Sequence, residues 1–286
     1  MRPEPRRLAA PGNPMSRRVL PGADAPGGAV GRDGRQSGVA KPSTILVNQI
    51  ITPPTSRQNV LVVDVGGTNV KILATGQDEP RRFPSGRQMK PEQMVSGVKQ
   101  IVKDWKYDVV TIGYPGLVLQ GSPAKEPHNL APAWVGFDFK TAFGCPVKIV
   151  NDAAMQALGS YKGGLLLFLG LGTGLGSAIV QEGHLVPMEL AHLSYKNGTY
   201  EDYLGLRGLE RLGRKKWERH VAYCVARFFD ALHPDDVVLG GGNAKRLKEL
   251  PPGCRAGDNA NSFLGGFRLW DNSNDDVISQ MTHSGT

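Results

Sequence analysis

Apolar residues along the chain gather in short, continuous runs that are separated by turns rich in glycine. Runs of this kind are typical of strands that are buried on both faces. We therefore predict strands at residues 60–63, 70–74, 109–112, 147–150, 165–169, 177–180 and 237–239. In two places, 60–74 and 165–180, an apolar strand, a glycine turn and a second apolar strand follow one another. This short repeat predicts two halves that are built alike.

Helical spacing of apolar residues occurs between the strands. Residues 91–105 begin with proline and place Met94, Val98, Ile101 and Val102 on one face, which is typical of an amphipathic helix. Further helices are predicted near Asp152, at 202–232 with a break near 213, and from 240 through 250. Segments 120–140 and 251–270 lack this spacing and are predicted to be loops.

The two ends of the chain have a different composition. Residues 1–58 are rich in Pro, Gly and Arg, and a segment without apolar periodicity cannot bury enough surface to order itself. We expect a disordered basic tail there and a flexible polar tail at 271–286. The Arg17-Arg18 pair resembles a twin-arginine export signal, but no apolar helix follows it, so export is not expected.

Charge and cysteine usage narrow the possible environments. The formal charge is +8, yet residues 59–286 hold 25 basic and 23 acidic residues, so only local clusters can argue for a polyanionic partner. No apolar run approaches the length of a membrane helix. The three cysteines, Cys145, Cys224 and Cys254, lie too far apart for a zinc spacing or a disulfide framework. A reducing, cytoplasmic location fits best.

Two glycine turns are candidate phosphate-binding loops: Asp64-Val65-Gly66-Gly67-Thr68 and Leu171-Gly172-Thr173-Gly174. Glycine permits positive φ and lets backbone N–H groups approach an anion, and threonine adds a hydroxyl donor. Neither turn has the Walker A pattern. The alternative is two ordinary β-hairpins.

Carboxylates at strand ends are the candidate catalytic groups. Asp152 follows a predicted strand and can accept the proton of an attacking hydroxyl, as carboxylates do in kinases. The alternative is that Asn151 and Asp152 only cap a helix. Asp64 can hold Mg²⁺ through water, or it can simply hydrogen-bond its own turn.

Two further groups of residues have both a functional and a structural interpretation. Glu189 and His192 lie three residues apart, so they can converge on vicinal hydroxyls of a ligand or form a surface pair. Gly240, Gly241 and Gly242 at a predicted helix start can bind a phosphate or a base. Basic residues at 207–219 and 245–248 form either solvated faces or an electropositive lane.

Four of these motifs in this order resemble the ROK family of sugar kinases: residues 63–68, 150–153, 170–174 and 189–192. Segments 199–203, 205–210, 251–259 and 265–270 are similar to the polyphosphate glucokinase branch of that family. The resemblance covers about 59–270. Ala191 stands where the family usually has glycine, and the zinc-binding cysteine cluster of many relatives is absent, so no structural zinc is expected.

The resemblance implies an actin-like (ribonuclease H-like), two-lobed α/β fold with a central cleft, with lobes at 59–150 and 151–270. It implies transfer of a phosphoryl group from polyphosphate, and possibly ATP, to the 6-hydroxyl of glucose, with Mg²⁺ as cofactor and a homodimer as the assembly. Asp152 would be the base. The sugar would be held by Asn129, Asn151, Glu189, His192 and Glu201. The phosphates would be held by Asp64, Gly66, Gly67, Thr68, Thr173, Gly174, Gly241 and Gly242.

Three alternatives stay open at this stage. The first is a strictly ATP-dependent hexokinase of the same fold. The second is a sugar-responsive repressor, which residues 1–56 disfavour because they lack the apolar pattern of a helix-turn-helix, so no nucleic acid partner is expected. The third is a non-catalytic sugar-binding module, which the intact turns and Asp152 disfavour.

Overall fold

A computed structural model describes residues 58–258 and 260–271. The predicted tails therefore lie outside the described residues, apart from residues 58 and 271. The strands are β1 Val60–Val65, β2 Asn69–Ala74, β3 Arg81–Pro84, β4 Val109–Tyr114, β5 Val118–Leu119, β6 Ser122–Pro123, β7 Val147–Asn151, β8 Leu165–Leu171, β9 Leu175–Gln181, β10 His184–Met188, β11 Ser194–Tyr195, β12 Gly198–Thr199, β13 Asp236–Gly240 and β14 Cys254–Ala256. The helices are α1 Pro91–Ile101, α2 Phe139–Phe143, α3 Asp152–Ser160, α4 Tyr200–Leu204, α5 Leu206–Leu212, α6 Arg214–Leu232 and α7 Asn261–Arg268.

Two five-stranded sheets form the frame of the molecule, and they have the same topology. The first has the order β3-β2-β1-β4-β7 and the second β10-β9-β8-β13-β14. In each of these orders the first three strands pair antiparallel with one another, and the last two strands extend the sheet by parallel pairing. The predicted repeat is confirmed, and it extends well beyond the two hairpins from which it was inferred.

Each sheet has its own apolar core. In the first, Leu61, Val63 and Val65 of β1 pack with α1 and with fully buried Trp134. In the second, Leu167 and Leu169 of β8 pack against α6, whose buried Trp217 donates its Nε1–H to the Leu204 carbonyl at 2.9 Å. Side chains alternate along a strand, so the other face of β1, with Val60, Val62 and Asp64, is turned toward α3 and α7.

Helices α3 and α7 cross with their backbones almost in contact, because glycines lie at the crossing. A methyl group added at Gly265 would overlap the Met155 carbonyl oxygen, and one added at Gly159 would overlap the Asn261 carbonyl oxygen. Glycine is the residue that permits such close approach. Gly266 in turn lies against Val62 of β1, so α7 connects α3 to the first sheet.

Helix α7 corrects the prediction that 251–270 is a loop. Its sequence contains two adjacent glycines and its N-cap residue, Ala260, makes no side-chain cap, so local propensity argues against a helix. Packing decides instead: Phe263 is buried with Val62 and Met155, and Thr111 Oγ1 donates to the Gly266 carbonyl at 2.8 Å.

Other boundaries also differ from the prediction. The helix that was predicted through 250 is a single 3-10 turn, Ala244–Arg246, because Leu247 is extended (φ −66°, ψ 130°) and Pro251 soon follows. Helix α1 ends at Ile101, four residues early. The 202–232 region breaks at Gly205 as well as at Gly213. The edge strands β3 and β10 were not predicted.

Candidate active site

Asp152 is the first residue of α3, directly after β7. Asn151 is the N-cap: its Oδ1 accepts hydrogen bonds from the N–H groups of Ala153 (2.9 Å) and Ala154 (3.3 Å), and its Nδ2 donates to the Gly116 carbonyl at 2.9 Å. The helix-capping interpretation is therefore correct for Asn151, whose side chain makes these hydrogen bonds to backbone groups. Asp152 keeps its second carboxylate oxygen outside this capping arrangement, since Oδ1 accepts from Ala153 N–H at 2.8 Å.

The ionisation of Asp152 is strongly perturbed. Burial raises its pKa to about 7, and the negative charges of Asp64 and Glu189 add to the rise, while the N–H of Ala153 opposes it. Charges influence one another in this way only at short range. The structure therefore brings Asp64, Asp152 and Glu189, which are far apart in sequence, into one neighbourhood. A carboxylate with a pKa near neutrality is suited to accept and release a proton.

Asp64 lies on β1, in register with Gly113 of β4, and Gly113 is in register with Val150 of β7. The carboxyl ends of these three parallel strands therefore meet at one edge of the sheet, where Asp64 and Val150 are separated by two strand spacings, roughly 10 Å. Gly113 makes room for the Met155 side chain, because a methyl group there would overlap the Met155 methyl and lie 3.7 Å from Asp64 Oδ1.

Two groups that the sequence did not single out hold the Asp64 carboxylate. Lys71 Nζ lies 3.7 Å from Asp64 Oδ2, and Ser262 Oγ donates to the same oxygen at 3.2 Å. Burial raises the pKa of Asp64, and Lys71 and Ser262 counteract that rise. Ser262 is 198 residues away on α7, within the segment that was predicted to be a loop, so no local pattern could have indicated it.

The first glycine turn joins β1 to β2. Gly66 N–H donates to the Asn69 carbonyl at 3.0 Å, and Ser85 Oγ donates to the Gly66 carbonyl at 2.6 Å. Asn129 lies directly over Gly67, where an added methyl group would be 3.1 Å from the Asn129 Cβ. The predicted sugar residue Asn129 and the predicted phosphate residue Gly67 are thus neighbours.

The second glycine turn joins β8 to β9 and lies against α3. A methyl group added at Gly176 would be 2.5 Å from the Ala153 Cβ, next to Asp152 in the chain. The turn is braced from the other side, since Leu206 N–H donates to the carbonyls of Gly172 and Thr173, each at 3.1 Å. Both turns are hairpin connections, as the alternative interpretation stated. A hairpin turn can still be a phosphate-binding loop, and the hairpin at 171–175 is also a neighbour of Asp152.

The reason for glycine in these turns differs from the one we predicted. Gly66, Gly67, Gly172 and Gly174 have no left-handed φ; among the glycines near the site it is Gly241 that does, at +81°. Close approach of other groups is the constraint instead. Asn129 occupies the space beside Gly67, and Glu201 Oε2 occupies the space beside Gly174.

Glu189 and His192 flank a 3-10 turn, Leu190–His192, and do converge: His192 Nε2 lies 3.8 Å from Glu189 Oε2. Both side chains are exposed, at 46% and 67%, so they face an open space. Ser177 of β9 fixes this turn, because its Oγ donates to the Met188 carbonyl at 2.9 Å and accepts from Leu190 N–H at 3.2 Å. Ala191, the residue that departs from the family pattern, is buried in the second core.

Glu201 lies on α4, where it touches the second turn and also binds Arg207. Arg207 Nη2 lies 3.0 Å from Glu201 Oε1 and 3.4 Å from Asp202 Oδ1. The segment between His192 and Glu201 is held by Tyr195, which is buried, stacks on Tyr200 (centroids 5.1 Å apart) and hydrogen-bonds His220 Nδ1 through its hydroxyl at 2.8 Å.

Gly241 and Gly242 follow β13 and reach the same second turn. A methyl group at Gly241 would lie 2.5 Å from the Leu171 carbonyl oxygen, whereas Gly242 faces open space. Asn243, which is buried, donates from Nδ2 to the Gly172 carbonyl at 2.7 Å. No helix of useful length starts here, so the helix-terminus argument for a phosphate at these glycines is wrong; the open surface of Gly242 beside the turn remains.

The oxygen donors at this site suit magnesium that is shared with phosphates. The described residues contain no group of three or more His, Cys, Asp or Glu that could hold a metal by itself. Mg²⁺ usually keeps several waters and takes only one or two carboxylates plus substrate phosphates. Asp64, which is 12% exposed and partly neutralised by Lys71, fits contact through water better than direct ligation.

The fold is the actin-like, two-lobed α/β fold, and residues 60–187 match the model of the ROK family. The polyphosphate glucokinase of Mycobacterium tuberculosis (strain CDC 1551 / Oshkosh) is 25% identical over 220 residues, which covers 69% of this chain and 83% of that protein. The inorganic polyphosphate/ATP-glucomannokinase of Arthrobacter sp. strain KM superposes with a TM-score of 0.63 at 23% identity, over 78% of this chain and 99% of that one. A ROK family glucokinase from Streptomyces griseus, solved with glucose and AMPPNP, gives a TM-score of 0.60 at 17% identity, over 74% and 98% of the two chains. Across the part of the chain that the structure covers, none of the helices is long and apolar enough to span a membrane.

Proposed function

We propose that this protein transfers the terminal phosphoryl group of inorganic polyphosphate to the 6-hydroxyl of glucose. The observation that carries the proposal is the position of Asp152. Its carboxylate has a pKa near 7 and lies between Asp64 at the edge of the first sheet and a glycine turn of the second sheet. A general base beside a candidate phosphate turn suits phosphoryl transfer to a hydroxyl.

The sugar would lie over the convergent polar groups around Asp152. Glu189, His192 and Glu201 offer acceptors and donors for vicinal hydroxyls, and Asn129 adds an amide beside the first turn. Asn151 contributes by fixing the start of α3, because its side chain is occupied by backbone groups. These roles are supported by the proximity of the residues and by the similarity to glucose-phosphorylating relatives.

In the proposed reaction, Asp152 accepts the proton of the sugar hydroxyl while the hydroxyl oxygen bonds to the terminal phosphorus. The bridging P–O bond breaks, and the donor leaves one phosphate shorter. Backbone N–H groups and hydroxyls at Thr68 and Thr173 would bind the phosphate oxygens. Magnesium held near Asp64 would supply charge neutralisation when bound. Cytoplasmic location and a homodimeric assembly stay predictions from the sequence.

Replacing Asp152 by Asn tests the proposed base. We expect kcat to fall by about 10²–10⁴-fold while the affinity for glucose, measured by titration in the absence of donor, changes little. The assay detects glucose 6-phosphate with polyphosphate or ATP as the only donor. Retention of more than a tenth of the wild-type kcat would exclude Asp152 as the base. Competition between ATP and long polyphosphate then distinguishes the proposed donor from a strictly ATP-dependent reaction.

A further inference from the structure

Positive charge is concentrated on two segments whose basic side chains, apart from Arg207, have no contact with the candidate active site. Residues 205–219 and 243–249 together hold nine lysines and arginines and three acids, a net +6. Residues 59–286 as a whole carry only +2, with 25 basic and 23 acidic residues, so the rest of that part is net negative. All nine basic side chains are exposed. Such local asymmetry creates a potential that attracts polyanions.

Both segments start at the second glycine turn. Leu206 N–H and Asn243 Nδ2 donate to the same carbonyl, that of Gly172, at 3.1 and 2.7 Å. The segments meet again where Lys248 N–H donates to Glu218 Oε1 at 2.8 Å. The two basic segments are thus in contact at both ends and form a continuous path that begins at a candidate phosphate turn.

An open groove of about 460 Å³ lies at the far end of this path, between α6 and residues 247–252. Its charged walls include Lys215, Arg219 and Lys248. Glu218 and the exposed Glu249 also line it, and Glu218 Oε1 is occupied by Arg214 Nε at 3.2 Å and by Lys248 N–H. Among the described residues, none of the three basic side chains has an ion-pair partner.

We propose that this groove binds the distal part of a linear inorganic polyphosphate whose reactive end lies at the second glycine turn. The inference rests on the proposed function and extends it to a second binding site on the same donor. Helix α5 has seven residues, is roughly 10 Å long at 1.5 Å per residue, and connects the turn to α6, which lines the groove. An extended polymer of phosphates can span that distance, whereas a short donor occupies only the turn.

The test neutralises the groove without touching the candidate active site. The groove variant carries Lys215→Gln, Arg219→Gln and Lys248→Gln. The matched control carries Lys99→Gln, Lys103→Gln and Lys140→Gln, which remove the same charge from exposed positions on and near the first sheet. Labelled long-chain polyphosphate is titrated by fluorescence anisotropy against the full chain at low and physiological salt, without glucose.

We expect the Kd for long polyphosphate to rise at least about tenfold in the groove variant and less than about twofold in the control, with a weaker salt dependence in the groove variant. In the coupled assay, KM for long polyphosphate should rise by a similar factor, while KM for tripolyphosphate should change far less. Equal Kd values for wild type and groove variant would overturn the proposal. Tighter binding of duplex DNA with the same number of phosphates would overturn it too, and would assign the groove to nucleic acid.

The binding titration separates this inference from the proposed function. If wild-type protein phosphorylates glucose from polyphosphate but the groove variant binds and turns over long chains normally, the groove assignment alone fails. If no donor supports phosphorylation, the proposed function fails, and the anisotropy titration still decides whether the groove binds polyphosphate.

Discussion

The raised pKa of Asp152 predicts that Asp152→Asn stabilises the protein, and that the gain depends on pH. The side chain has a pKa of about 7 in the folded chain, against the ordinary value of 3.8 for an exposed aspartate. Between these values the unfolded chain has lost the proton and the folded chain retains it, so stability falls as pH rises through this window. Asn has the same shape, can keep the bond to Ala153 N–H, and carries no charge.

The size of the effect follows from the shift. Three pKa units correspond to about 4 kcal/mol, and we halve this to about 2 kcal/mol because the Asp152 side chain keeps some contact with solvent. For a folded unit of this size, 2 kcal/mol moves Tm by about 4–8 °C. Because the window begins at pH 3.8, the Tm advantage of Asp152→Asn should grow by about two-thirds of that amount, about 3–5 °C, between about pH 5 and about pH 8.

The assay is thermal unfolding of both proteins in EDTA, without sugar or donor, at the two pH values. Asp104→Asn is the control, because the hydrogen bond from Arg81 lowers the pKa of Asp104 to about 2. The stabilising effect of ionised Asp104 is complete above about pH 4, so the Tm deficit of Asp104→Asn should be the same at both pH values. An Asp152→Asn advantage that is absent, or that shrinks as pH rises, would refute the environment assigned to Asp152.

Three further predictions follow from the same geometry. The kcat/KM for glucose should rise with pH through about 7, as Asp152 ionises, and a pH profile that is flat from about 5.5 to 8.5 would contradict this. Gly176→Ala should cost about 1–3 kcal/mol of stability and lower kcat, because the methyl group would lie 2.5 Å from the Ala153 Cβ. Chemical denaturation and steady-state kinetics check this prediction, and a variant with normal stability and normal kcat would contradict it. Tyr195→Phe should cost about 1 kcal/mol by removing the bond to His220 and should raise KM for glucose more than it lowers kcat, whereas an unchanged KM would show that this bond does not position the sugar side.

The candidate site could be predicted in part because its key residues lie at strand ends and turns. Asp64 and Asp152 each follow an apolar run that was recognised as a buried strand, and glycine turns after such runs are visible in the sequence alone. Parallel pairing of β1, β4 and β7 then places those strand ends at one edge. Local pattern and fold agree here, because the pattern reports which faces are buried.

Other features depend on contacts between segments far apart in the chain, so no local pattern could indicate them. Ser262 reaches Asp64 across 198 residues, and Arg207 binds Glu201 only because α4 and α5 pack on the second turn. Helix α7 is built from residues with poor helix propensity, since its glycines are needed where it crosses α3.

The sequence by itself determined the repeated strand-turn-strand units and the polar residues that end them, since burial pattern and turn chemistry are local properties. The tertiary structure alone decided that Asp152 has a pKa near 7, because packing buries it and two distant segments bring the charges of Asp64 and Glu189 close to it. It also decided that glycine in the turns makes room for Asn129 and Glu201 rather than supplying a left-handed φ. An electrostatic environment is a sum over neighbours in space, and neighbours in space are what folding creates.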